Sequence, residues 1–136
     1  MKSYTDLEQS KKLAEILPLK SADMTWEQVT NALTKDFTWK PTIGLDKAII
    51  GNYFSYRNGY VLPCWSLAAL LDVLESEIYD EDGNTYELNI EKEGTWWWIE
   101  YIERYGEANP IETNSTEELI DACYEIILKL HELNLL

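Results

Sequence analysis

The sequence is short of the residues on which most recognisable chemistry depends, with one histidine and two cysteines in 136 positions. Cys64 and Cys123 match neither the C-x-x-C spacing of redox sites nor any four-ligand zinc pattern. With His131 as the one imidazole, a zinc site would need carboxylate ligands, and a Cys64–His131 or Cys123–His131 nucleophile pair would have to assemble across the fold. Both thiols are instead expected to act as small hydrophobes, and Cys123 falls inside the apolar stripe of a predicted helix. A glycine-rich phosphate loop, a G-x-S-x-G elbow and an H-E-x-x-H pair are all missing, which argues against nucleotide-dependent and hydrolytic chemistry. No cofactor, metal site or catalytic residue is expected. Long apolar runs are missing too: the longest, Leu67 to Leu71, has five residues, against the roughly 20 that a membrane-spanning helix needs. The first residues lead into a charged helix rather than a secretory signal, so a cytoplasmic location is expected, away from membranes.

Basic residues are also scarce. Eleven Lys and Arg stand against twenty-five Asp and Glu, a formal charge of −14. Such a balance repels phosphate backbones and anionic membrane surfaces, so nucleic acid is not an expected partner. The deficit is uneven. Residues 1–71 carry eight bases and seven acids, whereas residues 72–136 carry three bases and eighteen acids. A one-signed field over half a chain serves solubility, and it also steers an oppositely charged partner. A basic protein is the partner this asymmetry suits.

What remains is the composition of a folded domain. Hydrophobic residues make up 46 % and charged residues 26 %, and this length fits one compact core. Thr5-Asp6-Leu7-Glu8 has the T-x-x-E spacing of a helix start. Leu7, Leu13, Ala14, Ile16 and Leu17 gather at helical spacing up to Pro18. From Met24 to Pro41 two readings stand: an antiparallel hairpin, from the alternation of Met24, Trp26 and Gln28 and of Phe37 and Trp39, or a helix over 25–33, from Trp26, Val29, Ala32 and Leu33. A short helix is expected over 46–52, and a turn at Arg57-Asn58-Gly59.

Ser66 is the expected N-cap of a second helix, with Leu67, Leu70, Leu71 and Leu74 on its buried face. Residues 78–102 read as a meander, with turns at Asp82-Gly83-Asn84 and Glu93-Gly94. Its last strand sets Trp96, Trp98 and Glu100 on one face and Trp97, Ile99 and Tyr101 on the other, the better core face. A loop holding Gly106, Asn109 and Pro110 leads into a last helix that Ser115 and Glu118 should cap. Leu119, Ile120, Cys123, Ile126, Ile127, Leu130 and Leu133 form its apolar stripe. The expected architecture is therefore α+β, a single domain of residues 1–136 in which a short antiparallel sheet packs against three main helices.

Two features could carry binding. Trp96 and Trp98 together would make a flat aromatic strip suited to a sugar ring, a cation or a protein hot spot, with Glu100 beside them. Large exposed apolar patches are rare on monomers, so cover by a helix or loop is the expectation, and a homodimer would cover the strip equally well. Asp80, Glu81 and Asp82 form an acidic turn that fails the spacing of a calcium loop, because Gly83 falls at the fourth position rather than the sixth. A solvated hairpin turn within the acidic surface is expected there. Glycosidase-type chemistry would need a second carboxyl facing Glu100 across a cleft.

Three blocks carry a resemblance: Leu7-Glu8-Gln9-Ser10-Lys11-Lys12-Leu13-Ala14-Glu15-Ile16-Leu17-Pro18 with Ser21-Ala22-Asp23-Met24, Leu62-Pro63-Cys64-Trp65-Ser66-Leu67-Ala68-Ala69-Leu70-Leu71, and Asp121-Ala122-Cys123 with Leu128-Lys129-Leu130-His131-Glu132. Together they resemble an uncharacterised family of small proteins from phages and mobile elements of Bacteroides-type gut bacteria. The resemblance implies a host-bacterial cytoplasm and an accessory role, and brings no activity, cofactor or catalytic residue. The functional expectation is thus a non-enzymatic protein that binds a basic protein partner through its acidic C-terminal half. A carbohydrate or small-molecule module using Trp96 and Trp98 is the alternative, and an immunity-type toxin inhibitor is a more specific form of the first reading.

Overall fold

The computed structural model describes residues 1–43 and 61–136. The helix expected over 46–52 and the Arg57-Asn58-Gly59 turn lie outside the described residues. Two compact units divide the chain, one of Tyr4–Ala69 and one of Met1–Ser3 with Leu70–Leu136. Helices and two antiparallel sheets make the fold α+β, as expected, although the strands form a three-stranded and a four-stranded sheet rather than one.

In the unit of Tyr4–Ala69, helix α1 spans Leu7–Ala14. Its start falls one residue later than the T-x-x-E spacing suggests. Asp6 is the N-cap: its carboxylate accepts the Gln9 N–H at 2.8 Å, and the Gln9 side chain accepts the Asp6 N–H at 3.1 Å. A carboxylate at the cap also complements the positive end of the helix dipole. Thr5 is thereby released to a different task. Fully buried, it shares a hydrogen bond with Ser10 at 2.8 Å and accepts the Trp65 N–H at 3.2 Å. The α-helix ends at Ala14, before Pro18, which instead precedes a short 3-10 turn over Leu19–Ser21.

Of the two readings for residues 24–41, the hairpin is the one found. Strand β1 (Met24–Thr30) pairs antiparallel with β2 (Phe37–Ile43) on one side and with β3 (Val61–Cys64) on the other. Asn31 breaks the competing helix: its side-chain oxygen accepts the Leu33 N–H at 2.9 Å, and its N–H donates to Asp36 O at 2.7 Å, closing the turn. An Asx side chain that captures backbone donors in this way competes directly with helix propagation. Pro41 and Pro63 sit on the two outer strands, β2 and β3, where a missing donor costs no central ladder bond. Trp65 is fully buried and donates its indole N–H to Ser21 Oγ at 3.0 Å. Helix α2 (Leu67–Val73) begins here, and Ser66 Oγ accepts the Ala69 N–H at 3.2 Å, the expected cap. Leu70 and Leu74 are buried, whereas Leu67 and Leu71 are only half-buried.

The second unit holds the meander. Strands β4 (Glu77–Tyr79), β5 (Thr85–Glu93), β6 (Trp96–Glu103) and β7 (Ile111–Glu112) lie side by side in chain order, all antiparallel. Gly83 and Gly94 adopt positive φ, +82° and +62°, at the two expected turns. Helix α3 (Leu119–Glu132) packs against β6 and β7. Ile120, Cys123, Ile126 and Ile127 are wholly shielded on α3, as are Ile99 and Tyr101 on β6. Truncating Ile126 to Ala in such a core costs roughly 2–5 kcal/mol.

The cap expected from Ser115 and Glu118 does not form. Trp97 and Thr116 exchange main-chain hydrogen bonds of 2.6 and 2.8 Å, which draws residues 115–118 out along β6. The helix begins at Leu119 with Glu118 as an uncapped N-cap. Strand β7, where a loop is predicted, exists because Ile111 and Glu112 register with Tyr101 and Glu100.

Candidate functional site

The division into units coincides closely with the division of charge. Residues 1–3 and 70–136 hold eighteen acidic and four basic side chains, so this unit carries the whole formal charge of −14 while Tyr4–Ala69 is balanced. Its four bases are engaged. Lys2 pairs with Asp121 at 2.9 Å, Lys129 with Glu125 at 3.6 Å, and Arg104 with Glu77 at 2.7 Å and Glu87 at 2.9 Å. Lys92 lies over the Trp97 ring, 4.9 Å from its centroid. Most of the carboxylates therefore have no cation among the described residues.

Strand alternation sorts them. The register places Tyr86, Leu88 and Ile90 of β5 opposite Glu103, Tyr101 and Ile99 of β6, on the face that packs under α3. The opposite face carries Glu87, Asn89, Glu91 and Glu93 on β5, paired with Ile102, Glu100, Trp98 and Trp96 on β6. Glu77 and Glu112 extend this outer face on β4 and β7. Six glutamates and two indoles thus share one side of a four-stranded sheet.

Trp96 is 49 % exposed rather than covered as expected, and Trp98 beside it is half-buried. Each indole stands directly opposite a glutamate, Trp96 opposite Glu93 and Trp98 opposite Glu91. Trp97, on the other face, is likewise only half-buried, with Lys92 over its ring. Three consecutive indoles on a strand cannot share one core, and here two of them point away from it.

Glu100 accepts a hydrogen bond from Asn89 Nδ2 at 2.8 Å and lies in register with Glu112. The second carboxyl that the sequence could not supply is therefore a cross-strand neighbour on an open sheet face, a different arrangement from two carboxyls facing across a cleft.

Asp80, Glu81 and Asp82 divide into two roles. Asp80 is a turn residue: its carboxylate accepts the N–H groups of Asp82 and Asn84, the Asn84 side-chain amide at 2.8 Å and the Tyr86 hydroxyl at 3.2 Å. These donors, the Asn84 amide foremost, hold its carboxyl below the usual carboxylate range. Glu81 and Asp82 are exposed and rim a groove of about 450 Å³, whose walls include Tyr86, Ile111, Leu133 and Leu135. An acidic rim above apolar walls suits the stem and charged head of a lysine or arginine.

The cysteines show no sign of nucleophilic chemistry. Burial pushes both thiols up, Cys123 to about 12, which leaves them protonated near neutrality. Cys123 and His131 are not brought together: eight helical positions separate them, Cys123 is buried and His131 is exposed. Among the described residues no group of three or more His, Cys, Asp or Glu side chains is placed to hold a metal ion, and no helix is long and apolar enough to cross a membrane. No family model, curated protein or solved structure matches the chain.

Sequence reasoning missed two parts of this surface. The aliphatic walls of the groove, Ile111, Leu133 and Leu135, come from β7 and from residues after α3, elements distant in sequence whose approach no local pattern reports. The role of Asp80 was legible in part, since Asp-x-x-Gly-Asn is turn chemistry in which the first carboxylate collects backbone donors.

Proposed function

We propose that the unit of residues 1–3 and 70–136 is the docking surface for a basic protein partner. The observation that carries this reading is the partition of charge: one unit holds −14 and the other none. The outer sheet face adds glutamates set opposite half-exposed indoles, a combination that binds cationic side chains by charge and by the ring faces together. The Glu81–Asp82 groove offers a second place for such a side chain. The resemblance to phage and mobile-element proteins suits an accessory role in a bacterial cytoplasm, and inhibition of a basic toxin is its most specific form.

The test uses the full chain as bait in host lysate at low salt, followed by titration of the purified partner. Affinity should fall at least tenfold between about 25 and 250 mM salt, where the Debye length shrinks from roughly 20 to 6 Å. The double charge reversal Glu81→Lys with Asp82→Lys should slow association. Affinity indifferent to salt and to this variant would refute the reading. Asp80 is left intact because its replacement would unmake the turn.

A second reading rests on Trp96 and Trp98, adjacent on one face and both at least partly exposed. A sugar ring stacking on them would quench tryptophan fluorescence in a saturable way. Unchanged emission across a panel of neutral mono- and oligosaccharides would eliminate it.

A further inference from the structure

Strand β5 outruns its neighbour on one side. Strand β4 covers residues 85–87 of β5, and Ser76 O accepts the Leu88 N–H at 2.9 Å; beyond that point β5 continues to Glu93. Main-chain groups alternate in direction along a strand. Since Leu88 points away from β6, so do Ile90 and Lys92, whose N–H and C=O groups have no main-chain partner among the described residues. Asn89, Glu91 and Glu93 point their main-chain groups into the ladder with β6. An open edge of this kind is a template for another strand.

The side chains decide which strand. Glu91 and Glu93 flank the edge on the outer face and are exposed. A second copy of the same edge, laid antiparallel, would set these glutamates among their own counterparts, and like charges directly opposite are destabilising. A strand with lysine or arginine at alternating positions would instead meet them with opposite charge. On the other face the edge offers half-buried Ile90, which suits an aliphatic residue between the bases.

We infer that residues 89–93 take up an extended basic segment of the partner as an added antiparallel strand, next to β5 where β4 stops. This deepens the reading of the acidic unit as a docking surface and rests on it. In antiparallel pairing the residues that exchange main-chain bonds with Ile90 and Lys92 have their side chains on the same face as theirs. The aliphatic residues of the incoming strand therefore supply the N–H groups, while its basic residues supply the charge.

The probe is the acetylated, amidated peptide Lys-Val-Lys-Val-Lys-Val-Lys, titrated into the full chain in its unmodified form and in two methylated forms of equal charge. N-methylation of the three valines should weaken binding at least tenfold relative to N-methylation of three lysines, because the lysine N–H groups point to the far side. Amide hydrogen exchange at Ile90 and Lys92 should slow at least tenfold in saturating unmodified peptide. Lys92→Pro removes an edge donor without removing a ladder bond, and it also removes a positive charge. Charge alone predicts tighter binding by this variant, and strand addition predicts binding weakened threefold or more. Equal affinity for the two methylated peptides, or unprotected Ile90 and Lys92 amides, overturns strand addition and leaves the salt-sensitive docking surface standing. Failure of the unmodified peptide to bind even at 25 mM salt overturns both.

Discussion

Replacing Glu103 with alanine should destabilise the protein by roughly 2–3 kcal/mol, a large effect for a charged side chain. Glu103 ends β6 on the core side, is 3 % exposed and stands opposite Tyr86. Its carboxylate accepts the Tyr105 N–H at 3.1 Å and the Glu107 N–H at 2.7 Å, while its main-chain oxygen accepts the Gly106 N–H at 3.1 Å. One residue thus organises the whole turn that leaves the sheet, in which Gly106 sits at φ +71°. A hydrogen bond to a charged acceptor contributes about 1.5–3 kcal/mol, so two of them bound the loss at roughly 3–6. Tyr105 and Glu107 are exposed, so water can rehydrate the freed N–H groups, which brings the expected cost below that bound, to about 2–3 kcal/mol. Glu103→Gln keeps one acceptor oxygen at about half the strength and should cost roughly 1 kcal/mol. Urea denaturation followed by tryptophan emission gives both values, and an unchanged m-value would show that the effect lies in the folded state. Hydrogen exchange should quicken at Tyr105 and Glu107 in the alanine variant. A loss below about 0.5 kcal/mol for Glu103→Ala, or equal losses for the two variants, would refute the account of this turn.

Other outcomes follow from the same geometry. Glu100→Gln retains an acceptor for Asn89 and removes the like-charge pairing with Glu112, so it should raise stability by roughly 0.3 kcal/mol in denaturant titration. Alkaline pH should destabilise the fold through Cys123. Burial raises its folded pKa to about 12, above the 9.0 of an exposed thiol, so the folded state retains the proton that the unfolded chain releases. That contribution, about 4 kcal/mol at most, is complete below pH 9 and lost as pH rises to 12. Denaturant midpoints at pH 7.5, 9.5 and 10.5 should fall in that order, and Cys123→Ala should flatten the slope. Asp80→Ala should lower the melting temperature measurably, whereas Glu81→Lys with Asp82→Lys should leave it nearly unchanged, as calorimetry can show.

The parts of the fold legible in the sequence are those whose side chains repeat with a backbone period. The alternation of Tyr86, Leu88 and Ile90 with Glu87, Asn89 and Glu91 is the observed two-faced strand, and the leucines after Ser66 announce α2. Helix caps were harder to read because several oxygens compete for each start. Asp6 prevails over Thr5, whose hydroxyl is drawn into a buried network with Ser10 and Trp65. Ser115 loses its cap because Thr116 pairs with Trp97, nineteen residues upstream, a contact no local rule anticipates. At the candidate site, the facing of Trp96, Trp98 and Glu100 was legible, but their exposure was not, since cover depends on other elements. The open edge of β5 was hidden for a related reason. It exists because β4 is short, and strand length relative to a neighbour is a property of two segments.

The confinement of all surplus charge to one compact unit also bears on how the chain melts. Carboxylates crowded on residues 70–136 repel one another, a penalty that dissolved ions relieve, whereas the balanced unit of residues 4–69 has no such penalty to lose. Sodium chloride therefore relieves a repulsion confined to residues 70–136, and rising ionic strength should raise their hydrogen-exchange protection more than that of the balanced unit.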